Sequence, residues 1–76
     1  MTTWFRAVDQ TEDDRARADA EDSGRMVQLM REERGWSRNH LALRAGTSHA
    51  DVALFEMGRT VPAHTMLVRY LQAMAD

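Results

Sequence analysis

Residues 37–58, SRNHLALRAGTSHADVALFEMG, decide how this chain is read. Ser37 stands ahead of the apolar pair Leu41–Ala42, and Ser48 stands four residues ahead of Val52. Both suit helix N-cap positions, where a side-chain oxygen accepts from a backbone N–H that has no partner within the helix. Asp51 follows Ser48 by three residues, the spacing of a capping box. Between the two helices, Ala45-Gly46-Thr47 offers a glycine that can take positive φ, close one helix and swing the chain into the next. Two helices joined by a short turn containing Gly describe a helix-turn-helix.

Outward from that stretch, further helices are expected on both sides. Gly24–Arg34 reads as a helix capped by Asp22 or Ser23, with Val27 and Met30 facing the core and Met26 and Leu29 flanking them. Gly35 ends it, and Trp36 anchors the turn that follows. The helix-turn-helix gives Leu41, Ala42, Ala45, Val52 and Phe55 to the core. After Gly58, the loop Arg59–Pro62 ends in the only proline, which suits the first turn of a new helix. Leu67, Tyr70, Leu71 and Met74 then form an apolar stripe at helical spacing. No strand pattern is present, so the expected fold class is all-α.

Residues 1–23 are harder to place. Trp4 and Phe5 are followed by TEDDRARADAEDS, in which Thr11 can cap a helix opening with Glu12, Asp13 and Asp14. Ala16, Ala18 and Ala20 give no apolar stripe, so such a helix would be exposed and marginal on its own. The expectation is an acidic arm over residues 1–23, partly disordered or helical, joined to a domain over residues 24–76. The alternative is an arm that docks Trp4 and Phe5 onto this domain or a partner.

Composition narrows the function classes. Seventy-six residues allow one small domain. With no cysteine, disulfides, thiolate metal sites and cysteine catalysis are excluded. No apolar run approaches the roughly 18 residues of a membrane span, and the acidic N-terminal residues do not resemble a signal peptide. A cytoplasmic protein is expected. The net charge of −2 is unevenly spread: residues 1–23 hold three Arg and seven acidic residues, and residues 24–76 hold seven Arg and five acidic residues. His40, His49 and His64 have no cysteine or clustered carboxylates at metal spacing. Glu12, Asp13 and Asp14 suit a solvated helix start better than an acid–base pair, and no Gly-rich phosphate loop exists. Neither enzymatic activity, nor a metal, nor a cofactor is expected.

VQLMREERGWS, residues 27–37, resembles the first-helix signature of the lambda-repressor/Cro-like, or xenobiotic-response-element-type, helix-turn-helix family. Leu41-Ala42, Gly46, Ser48, Val52, Glu56, Gly58-Arg59, Pro62 and Leu67 continue that signature at its usual spacing, over about residues 24–75. The resemblance implies a compact four-helix domain that lacks the family's usual fifth helix. It implies an ion pair between Arg31 and Glu56, which would satisfy both charges where water is scarce.

It also implies a sequence-specific DNA-binding regulator, a Cro-like or autoregulatory repressor of phage or bacterial type, with helix 48–57 in the major groove of double-stranded DNA. Carried over by position, His49, Ala50 and Leu54 would meet base edges, and Ser48 and Asp51 would lie near the sugar-phosphate strand. Arg38, where the family usually has glutamine, would contact phosphate or guanine beside Asn39. Arg59 would face phosphate, with Arg44 as a further phosphate contact. Repressors of this type act as two-fold dimers, so a homodimer is expected, built through Trp4, Phe5 and the helix over residues 63–75. The exposed face of helix 48–57 departs from the family, because it carries no Gln, Asn, Arg or Lys to read bases. Ala50, Ala53, Leu54 and Met57 instead form an apolar strip of the kind that binds protein. The competing expectation is therefore a protein-interaction module on the same fold, such as an antitoxin or a phage protein that binds a host factor.

Overall fold

A computed structural model describes the backbone of residues 2–75 and the side chains of residues 13–75. Among the described residues it holds four helices and no strand: α1 (Thr2–Glu33), α2 (Arg38–Ala45), α3 (His49–Glu56) and α4 (His64–Ala73). The all-α expectation therefore holds at the level of element type.

The caps of the central stretch form as its residues dictate. The Ser37 hydroxyl accepts from the His40 N–H at 3.0 Å, and the Ser48 hydroxyl accepts from the Asp51 N–H at 3.1 Å. Asp51 reaches back to accept from the Ser48 N–H at 3.4 Å, which completes the capping box. Gly46 closes α2 in the left-handed region at φ 72°, and the Thr47 N–H then donates to the Ala42 carbonyl at 2.9 Å. Gly35 and Gly58 turn the other two corners at similar φ.

The first helix corrects the sequence reading. It does not start at Gly24, and neither Asp22, Ser23 nor Thr11 caps a helix: α1 runs unbroken from Thr2 to Glu33. The line drawn at residue 23 falls inside it. Ala20 is 1% exposed and belongs to the core, and Gly24 is buried as well. A helical stripe does exist, running Ala16, Ala20, Gly24, Val27 and Arg31, but its first members are too small to register as hydrophobic periodicity. A Cβ on Gly24 would collide with the Phe55 carbonyl oxygen, so α1 and α3 approach at backbone distance there. Trp4 and Phe5, expected at a docking or dimer surface, lie outside the residues whose side chains are described.

Around that contact the core gathers Val27, Leu41, Ala42, Val52, Phe55, Ala63, Tyr70 and Met74. Met30, Trp36, Ala45 and Leu67 pack against it half-buried. The Phe55 and Tyr70 rings meet edge to face, with centroids 4.9 Å apart. Pro62 does not occupy the first turn of α4, which begins at His64 after Ala63, so proline sits one residue outside the cap. Arg34 closes the far end of α4 by donating to the Met74 carbonyl at 2.8 Å, which neutralises a helix C-terminus that lacks basic residues of its own.

Candidate nucleic-acid interface

The α2–turn–α3 unit places its residues on two clear sides. Val52, Phe55 and Glu56 turn α3 inward. His49, Ala50, Asp51, Leu54 and Met57 remain exposed. The expected reading face is thus sterically open, and its one carboxylate, Asp51, hydrogen-bonds the backbone of its own helix start. That bond places the negative charge at the positive end of the α3 dipole.

Behind α3, Glu56 pairs with Arg31 and Arg38, and Arg31 Nη2 also lies 3.9 Å from the exposed Glu32 carboxylate. Arg31 Nε donates to Glu56 Oε2 at 2.7 Å, and Arg31 Nη2 donates to Oε1 at 3.1 Å. Arg31 Nη1 donates to the Trp36 carbonyl at 2.7 Å, so the fork also holds the turn between α1 and α2. The guanidinium pKa is raised by the Glu56 hydrogen bonds, which outweigh the opposing effect of burial. The Arg31–Glu56 pairing read from the family signature is present, in bidentate form.

Arg38 joins the same carboxylate. Its Nε donates to Glu56 Oε1 at 2.9 Å, with 37% of the side chain exposed. The sequence pointed to Arg38 as a DNA contact and missed this tether. It also missed the cluster around Trp36, where the His40 ring packs edge-on at 4.5 Å and the Arg44 guanidinium lies 5.5 Å from the ring centroid. Asn39 at the start of α2 and Arg59 after α3 are exposed. Below the turn, a groove of 230 Å³ brings Arg69, Thr47 and Thr60 beside Asp51 and Leu54. Arg69 lies on α4, and no local pattern in the sequence links it to α3.

Charge is divided between elements. α1 carries nine acidic residues against five Arg, whereas residues 34–75 carry five Arg against two acidic residues, one of them the buried Glu56. Among the described residues, no group of three or more His, Cys, Asp or Glu is placed to hold a metal ion, and no helix is long and apolar enough to cross a membrane. No protein-family model matches the chain, and no curated protein or solved structure matches it.

Proposed function

We propose that the chain is a sequence-specific DNA-binding regulator of the lambda-repressor/Cro-like kind, docking α3 in the major groove. The observation that carries this reading is the exposed outer face of α3, standing in a basic half of the molecule while the acidic charge gathers on α1. His49 and Ala50 in the first turn of α3, with Leu54 one turn on, meet base edges. Arg59, Arg44 and Asn39 contact the backbone of the duplex. Arg38 contributes charge while its position is fixed by Glu56, which favours a preset geometry over a mobile arm. As a repressor the protein acts as a homodimer, with Trp4, Phe5 and α4 as the proposed contact.

Titration of random-sequence and selected duplexes against salt tests the reading. The logarithm of the binding constant should fall with the logarithm of salt by about 0.9 per phosphate neutralised. Arg59→Ala and Arg44→Ala should each reduce that slope by roughly one. Absence of binding at about 50 mM salt would overturn the proposal. It would favour the second reading, a protein-interaction module, for which the exposure of Leu54 and Met57 speaks. Sedimentation of a monomer at high protein concentration would remove the dimer.

A further inference from the structure

At the C-terminal end of α3, away from the proposed reading face, lies a groove of 590 Å³ between α1 and α3. That volume is within the range of about 300–1,000 Å³ found for ligand clefts. Its apolar part is Leu29 from α1 and Met57 from the end of α3, which are 54% and 57% exposed. Two large apolar side chains from separate helices, both half open to water, gain by being covered; at about 25 cal/mol per Å² that gain is the driving term of peptide recognition.

The rim sets the sign of the occupant. Glu21, Asp22 and Glu32 line the groove with Arg25 as the one exposed cation, and all four charged side chains are exposed. Glu56 also borders it, but its carboxylate is consumed by Arg31 and Arg38 and presents little charge outward. On α1 these rim residues and Leu29 fall at spacings of three, four and seven, so they share one helix face. Gln28 is held there by its hydrogen bond to Glu32 at 3.5 Å. Nucleic acid is repelled from such a rim, and a cationic segment is attracted.

We infer that the Leu29–Met57 groove is a docking site for a basic peptide segment of a partner protein, one that presents an apolar side chain between arginines or lysines. The apolar side chain covers Leu29 and Met57, and the cations pair with Glu21, Asp22 and Glu32. The groove takes Met57 at the end of α3, whereas the proposed base contacts on α3 are His49, Ala50 and Leu54. The inference does not depend on the DNA reading, since the two surfaces share no side chain.

The test is fluorescence anisotropy with full-length protein and three labelled peptides: arginines flanking paired leucines, the same leucines flanked by glutamates, and the arginines flanking serines. Only the first should bind. Leu29→Ser and Met57→Ser should each weaken it at least about fivefold, the scale of an interface anchor. Glu32→Gln should weaken it more at low salt than at high salt, whereas Arg59→Ala should leave it unchanged. Circular dichroism of each variant establishes that it is folded, and both apolar positions are exposed enough to tolerate serine. Equal binding of the glutamate peptide, indifference to both serine variants, or no binding of the first peptide at about 1 mM overturns the inference. So does concentration-dependent self-association abolished by Leu29→Ser, because the occupant would then be a second copy of the chain.

Discussion

Glu56 is the residue on which most of the local order depends. Its carboxylate is buried and accepts from two arginines, while Arg31 also donates through Nη1 to a turn carbonyl. Removing one member of a buried pair leaves the other charge without compensation, a loss of about 3–5 kcal/mol. Glu56→Ala should therefore lower unfolding stability by about that amount in urea melts. Arg31→Ala combined with it should cost much less than the sum of the two single changes, and strict additivity would refute the coupling. Tyr70 provides a second residue-scale readout, since the chain contains one tyrosine. The ring is fully buried, and burial raises its hydroxyl pKa above the ordinary 10.0, only partly opposed by the Thr47 hydroxyl at 3.4 Å. The folded state thus favours the protonated form. Its contribution to stability is whole below the pKa of the unfolded chain and declines as pH rises from there through the folded pKa. Ultraviolet titration should show tyrosinate appearing only above about pH 10, and together with loss of helix.

At the scale of elements, the close crossing of α1 and α3 decides what each helix tolerates. In an isolated helix, Gly24→Ala would stabilise by about 1 kcal/mol. Here the new Cβ meets the Phe55 and Glu56 carbonyl oxygens, and backbone does not yield as a flexible side chain would. The net effect should be a destabilisation of about 1–3 kcal/mol by chemical denaturation. The capping box offers the contrasting case. Ser48→Ala removes a hydroxyl that only terminates α3, so it should cost about 1 kcal/mol. Thermal melts should show that loss without any change in helix content at low temperature. The caps were legible because each rests on two residues three positions apart. The length of α1 was not, because Ala16, Ala20 and Gly24 contribute closeness in place of apolar area, and closeness has no signature in a hydropathy pattern.

Across the whole molecule, extents of 51 × 20 × 18 Å follow from a 32-residue α1 that outruns the other helices. An acidic rod is thereby joined to a basic body. If α3 meets DNA, the field of α1 opposes the approach of the duplex over roughly one Debye length, about 10 Å at 0.1 M salt. Asp19→Asn with Asp22→Asn should therefore quicken DNA association severalfold at low salt, an advantage that stopped-flow mixing should show vanishing near 1 M. Unchanged association at low salt would show that α1 lies too far from the duplex to act on it.

The sequence by itself determined the helices of residues 37–58, their caps, the glycine corner between them, most of the core and the pairing of Arg31 with Glu56. The helices, caps, corner and core are encoded by neighbouring residues or by apolar side chains at helical spacing, whereas the Arg31–Glu56 pair, 25 positions apart, was implied only by the resemblance to a family signature. Tertiary structure alone decided that residues before 24 belong to one long α1, that Arg38 shares the Glu56 carboxylate, and that Leu29 and Met57 line a common groove. The last two depend on which surfaces come together across 18 and 28 positions of chain. Burial and charge pairing at such separations are fixed by packing, which no local pattern of residues records.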